Sequence, residues 1–287
     1  MHQYLGAIGF EEIKTKADQR QLLKQVIKQY SYNELIMLSC EDYTEYKKKY
    51  GNQIGIVVCG EMDKEENFYP EYHFPYLESR TISSYEEIVV NRKKDSESFM
   101  GIFDDMRIGV SIIFYLQNPI EYMKIMESSA LTVKGTSVSL AALALKGTVL
   151  LPVAKVKNDR KHEKESSFNR KMLVAATKFG DVETMDAMEQ YFNISDRIKQ
   201  EDVFSIVDTY FIPYGIECDE YSILGEIKEL KKIENQHTHV ELYHMLLEIN
   251  EMEIELCVPV AGVLGEPEVG RRFKSSVWLQ GKINFPE

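Results

Sequence analysis

A chain of 287 residues with 44% hydrophobic and 28% charged side chains holds enough apolar material for real cores and about two domains, which excludes wholesale disorder. Its formal charge is −12, and residues 201–287 carry 17 acidic against 7 basic side chains, so most of the imbalance sits in the last third. Such a surface repels phosphate backbones and gains nothing from counterion release, which excludes nucleic acid as a main partner of that region.

The opening MHQYLGAIGFEEIK lacks the basic start and apolar core of a signal peptide. Its Tyr4, Leu5, Ile8 and Phe10 suit a short helical turn. Leu22, Leu23, Val26, Ile27 and Tyr30 recur along one face of a 3.6-residue repeat, predicting a helix over 15–30. ELIMLS and IGIVVCGE then read as β runs, with Tyr43, Tyr46 and Tyr50 predicting a helical turn between them. FYPEYHFPYLES packs five aromatics and two prolines into twelve residues. The prolines keep it extended and out of a sheet's middle, so it reads as a loop or edge segment on the core.

Between Tyr85 and Leu116, YEEIVVNRK and RIGVSIIFYL read as antiparallel strands flanking a polar stretch with Asp95, Asp104 and Asp105. Pro119 opens a short helix, PIEYMKIME. VSLAALAL, Lys146-Gly147 and TVLLPVAKV predict a hairpin turning at the glycine. That apolar segment is broken by Lys146, Gly147 and Pro152, so it predicts no membrane span. Residues 1–155 thus read as an α+β domain with an antiparallel sheet, and 156–167, polar and aperiodic, as a linker. In 168–200, Met172, Leu173, Ala175, Ala176 and Phe179 line one helix face. Gly180 ends it, and Asp181 caps a second helix, giving a central helical hairpin like a single ankyrin-type unit. Residues 201–287 read as five β-rich runs punctuated by Gly215, Gly225, Gly265, Gly270 and Gly281, an acidic module with a small β-barrel-like or curved sheet. The expected class is α+β.

The strings MHQYLGAIGF, LVAATKFGDVE, EDVFSIVDTYFIPYGIECDEYSILGEI and GEPEVGRRFKSSVWLQGKINFP span nearly the whole chain. On them the sequence resembles an uncharacterised bacterial family defined only as a domain of unknown function. The resemblance implies a soluble protein of Gram-positive anaerobes and supplies no activity, cofactor or catalytic residue.

Two clusters invite chemistry. GEPEVGRR frames Glu266, Glu268, Arg271 and Arg272 between glycines, either as arginine forks for a carboxylate or phosphate or as charges paired within the loop. In HTHVELYH a strand would put His237, His239 and Glu241 on one face, as a metal would require, and His244 on the other. No H-E-x-x-H motif accompanies them, so no metal or other cofactor is expected. The chain has no G-x-S-x-G elbow, no phosphate-binding G-x-x-x-x-G-K-[ST], and no G-x-G-x-x-G opening a βαβ unit. Cys40, Cys59, Cys218 and Cys257 form no C-x-x-C pair and read as reduced, mostly buried thiols in the cytoplasm. The sequence therefore predicts a non-catalytic cytoplasmic binding or scaffold protein, with a basic protein surface as partner and no membrane contact. The alternative is an enzyme or small-molecule sensor with its site near GEPEVGRR. Composition sets no oligomeric state.

Overall fold

A computed structural model describes residues 2–37, 42–92, 98–127, 135–152, 207–215 and 218–286. Contacts divide the chain into one unit of Met1–Leu150 with Thr209–Glu287 and another of Leu151–Asp208. Every element named below belongs to the first. The expected linker at 156–167 and helical hairpin at 168–200 fall outside the described residues.

The chain opens with a 3-10 turn, Gln3–Ile8, whose Tyr4, Leu5 and Ile8 are buried as expected. Helix α1, Lys16–Lys28, starts at a capping box. The Thr15 hydroxyl accepts from the Asp18 N–H, and the Asp18 carboxylate accepts from the Thr15 N–H. The face expected from the periodicity is the one it buries, through Leu22 and Val26.

Four strands follow as an antiparallel meander: β1 Tyr32–Met37, β2 Asp42–Lys49, β3 Ile54–Met62 and β4 Phe68–Leu77. The helical turn expected at Tyr43 and Tyr46 is strand β2. Spacings of three and four mimic a helix there, yet pairing with the fully buried start of β3 decides the conformation. The aromatic stretch is β4, at the sheet edge where its prolines are tolerated. Phe74 and Tyr76 are buried and Tyr69 is exposed.

The second sheet contains β5 Val89–Arg92, β6 Phe99–Asp105 and β7 Val110–Leu116. Helix α2, Pro119–Glu127, starts at proline as expected. Strands β8 Ser137–Leu150, β9 Tyr210–Pro213, β10 Glu220–Glu234, β11 Glu241–Ile249, β12 Met252–Pro259, β13 Val263–Leu264 and β14 Arg272–Asn284 complete it. The polar stretch after Tyr85 was expected to be a connection. It contains β6, which pairs with both β5 and β7.

The fold is mostly β, with 54% of the described residues in strands and 15% helical, so the expected α+β class is wrong. Nor are there separate N-terminal and C-terminal β modules. Strands β8, β12, β11, β10 and β14 close a five-stranded barrel in that order, β14 pairing back to β8. Its first stave comes from the region assigned to the N-terminal domain and its other four from the acidic third.

Where a hairpin is expected at Lys146-Gly147, β8 runs on as one strand with a register shift against β14 just before Gly147; Val263 lies beside Gly147 in parallel and Ser275 opposite in antiparallel register. Gly147 serves packing, because a Cβ there would clash with the ring of Phe273. The run is continuously apolar because both faces are covered. Val138, Leu140, Ala142 and Ala144 fill the barrel with Met245, Leu247, Phe273 and Val277. Ala141 and Leu143, pointing outward, join Cys257 and Trp278 in a second core shared with β3, β4, α1 and the opening turn.

Candidate functional site

The GEPEVGRR loop joins β13 to β14. Gly265 and Gly270 have φ of 89° and 86°, left-handed values that L side chains rarely adopt, so both glycines are required by the turn. Arg271 folds back into it. Its guanidinium donates to the Glu266 carbonyl at 2.7 Å and lies 2.9 Å from the Glu268 carboxylate, while its N–H donates to the Glu268 carbonyl at 3.1 Å. Arg272 leaves the loop. It is buried as the first residue of β14, in register with Glu226 and Leu150. The structure therefore brings Glu266, Glu268 and Arg271 together but separates the two arginines that a double fork would need. Arg271 also ties the loop to the barrel, its carbonyl accepting from the Ile227 N–H at 2.8 Å.

The histidine cluster is rearranged too. His237 and His239 sit in the turn between β10 and β11, and only Glu241 is in the strand. Fully buried Asn235 organises that turn, its side-chain oxygen accepting from the His237 and Thr238 N–H groups at 2.9 and 3.1 Å. His239 adopts a φ of 59° and turns its Nδ1 to the Glu234 carboxylate at 2.6 Å. The same-face metal triad expected of a strand does not form, because the chain is not extended there. Among the described residues, no three His, Cys, Asp or Glu side chains gather as a metal would require.

The polar node of the molecule lies elsewhere, at Glu255. This residue is on the outward face of β12, beneath the connector 78–84 that runs from β4 toward the barrel. One carboxylate oxygen accepts from the Arg80 N–H at 2.8 Å, the Thr81 N–H at 3.0 Å and the Thr81 hydroxyl at 2.9 Å. The other meets His244 Nε2 at 2.7 Å and Gln53 Nε2 at 3.1 Å. Burial alone would raise the carboxyl's proton affinity. The hydrogen bonds from His244, Arg80 and Thr81 outweigh it and hold the group at about 2. Further along, the Ser83 hydroxyl donates to the Glu253 carbonyl at 2.6 Å, and the Arg107 guanidinium donates to the Ser83 carbonyl at 2.9 Å.

The sequence reading missed this node. Its single local signal was a carboxylate in the apolar run EIELCVPV, where a buried charge demands partners. Those partners come from Gln53, Arg80 and Thr81, far away in sequence.

A family model described as a domain of unknown function with an E. rectale gene description, DUF3881, matches residues 5–281. The chain belongs to the DUF3881 family. No curated protein and no solved structure matches it significantly. The family match spans the barrel, the four-stranded sheet and the Glu255 node together, so the interlocked unit is what the DUF3881 pattern covers. In this DUF3881 protein, Cys59, Cys218 and Cys257 are free thiols, and burial raises the proton affinity of Cys59 and Cys257 well above the usual thiol value. No described helix is long and apolar enough to cross a membrane.

Proposed function

We propose that this is a non-catalytic cytoplasmic binding protein that grips a partner protein through the loop at 263–271. One observation carries the reading: the loop is internally braced, yet it presents large apolar side chains to solvent. Leu264 is 70% exposed and Val269 65% exposed, with the exposed Glu266 and Glu268 between them. Arg271 and the two left-handed glycines fix the backbone, so little conformational freedom is lost on docking. Apolar anchors beside carboxylates suit a partner with an apolar patch rimmed by Lys or Arg. The cytoplasm is supported by the free thiols.

The alternative, an enzyme or sensor site in this loop, has less support. The arginine fork it needs is occupied by Glu266 and Glu268.

The test is a photo-crosslinking residue at Val269 of the full chain in its native cell. A discrete adduct that vanishes with Leu264→Ser and with Glu266→Lys is expected. A protein that forms no discrete adduct, or one insensitive to both changes, overturns the proposal.

A further inference from the structure

We propose a second site, independent of the partner-binding loop: the cleft where the connector 78–84 crosses β8 and β14 binds a small oxyanion, the phosphate or carboxylate group of a metabolite-sized molecule. The cleft has a volume of about 320 Å³ and is lined by Glu78, Ser79, Arg80, Ser139, Lys282 and Asn284, with Ile82 at its rim. That volume suits a small ligand and is too short for a nucleic-acid backbone tract.

Its floor follows from strand register. Outward-facing Ser139 lies opposite Lys282, and Ser137 lies opposite Asn284. The Asn284 amide donates to both serine hydroxyls, at 3.2 Å for Ser137 and 3.0 Å for Ser139. With its oxygen accepting, the Ser139 hydroxyl keeps its own proton to donate.

The charge is unusual for a chain of net −12. Among the described residues, neither the Arg80 guanidinium nor the Lys282 ammonium has a carboxylate within ion-pair distance. Glu78 is the one carboxylate of the lining, and its charge is met by the Lys49 ammonium at 3.5 Å. Lys47 stands nearby with its ammonium over the Tyr76 ring at 4.2 Å. Burial lowers the Lys47 proton affinity most, Glu45 and Glu78 oppose that, and Lys49 and Lys282 lower it further. Arg80, Lys282, Lys47 and Lys49 thus outnumber the nearby carboxylates Glu45, Glu78 and Glu255, leaving a positive excess for an anion to neutralise.

The site is also pre-organised. Glu255 captures the backbone N–H groups of Arg80 and Thr81, so the backbone that carries the guanidinium is fixed before any ligand arrives. Arg80 supplies a planar fork, Lys282 a point charge, and Ser139 a neutral donor, a mixture matched to an oxyanion.

The experiment titrates the full chain with inorganic phosphate and, separately, with malonate, at ionic strength held constant with chloride. The readouts are melting temperature and heat of binding. Saturable stabilisation by at least one anion beyond the chloride control is expected. Arg80→Ala and Lys282→Gln should each weaken it about tenfold or more, as for loss of a charged hydrogen-bond donor. Lys282→Arg should bind within a few-fold of wild type, and Glu78→Gln should bind more tightly. A response to phosphate alone assigns the group to a phosphate ester, and a response to malonate alone to a carboxylate. Stabilisation no greater than chloride gives for both anions, or binding that survives both Arg80→Ala and Lys282→Gln, overturns the site.

Discussion

Replacing Glu255 by Gln tests whether one carboxylate ties the connector to the barrel. In the folded protein this carboxyl is held at about 2 against an ordinary 4.5, so its ionised form is favoured by about 3 kcal/mol at 1.36 kcal/mol per pH unit. The residue is only 4% exposed, so solvent screening removes little of that. A depressed folded value fixes the sign. The stabilisation is complete above about pH 4.5 and is lost as pH falls toward 2. The glutamine variant lacks it at every pH. Its amide also turns donors toward the Arg80 and Thr81 N–H groups or toward His244 and Gln53, a pH-independent cost of about 1–3 kcal/mol.

Urea unfolding, followed by fluorescence of the buried Trp278, compares the two proteins between about pH 7 and pH 3. Wild type should exceed the variant by about 3 kcal/mol or more at neutral pH. The gap should narrow on acidification without closing fully. A gap that stays constant with pH refutes the electrostatic account, and no gap at pH 7 refutes the node altogether.

Two further outcomes check the packing. Gly147→Ala places a methyl group against the Phe273 ring inside the barrel and should destabilise by about 1–3 kcal/mol in the same urea assay; a change under about 0.5 kcal/mol would return Gly147 to a turn. In native protein treated with iodoacetamide, peptide mapping should find the half-buried Cys218 alkylated well before Cys59 and Cys257, which are fully buried with raised proton affinities. Equal rates at all three would contradict the burial described.

Helix α1 was legible because everything that specifies it is local. Thr15 and Asp18 cap it, and Leu22 and Val26 repeat at helical spacing. The opening turn and most strands of the acidic third were legible for the same reason. Local pattern misled where two structures share it. Tyr43 and Tyr46 are three residues apart on a strand whose neighbour β3 is buried, and nothing within β2 reports that neighbour. A glycine in an apolar run signals a turn or a close approach equally well, and only Phe273 decides for Gly147. In the GEPEVGRR loop the sequence offered pairing of all four charges within the loop as one outcome; of these it is Arg271 and Glu268 that pair there, and nothing local shows that Arg272 departs into β14.

The barrel was the least legible feature because its closing seam is the least local. Leu150 pairs with Arg272, and Ser137 pairs with Asn284, across all the chain between them. The energetic return for β8 therefore comes only after that loop closes. The same geometry explains why Glu255 looked ordinary. A carboxylate on an outward barrel face would normally meet water, and the alternation of β12 is compatible with that. What buries it is the connector 78–84, laid across the barrel by a sheet whose strands end before β5 begins. The connector brings backbone N–H groups that need an acceptor, and Glu255 is the acceptor in reach. Burying this charge and satisfying those donors are one event. The Arg80 side chain, left over from that event, is what faces the cleft beside Lys282. A change at Glu255 should therefore be felt at the cleft, through backbone position, with no contact between Glu255 and the anion required.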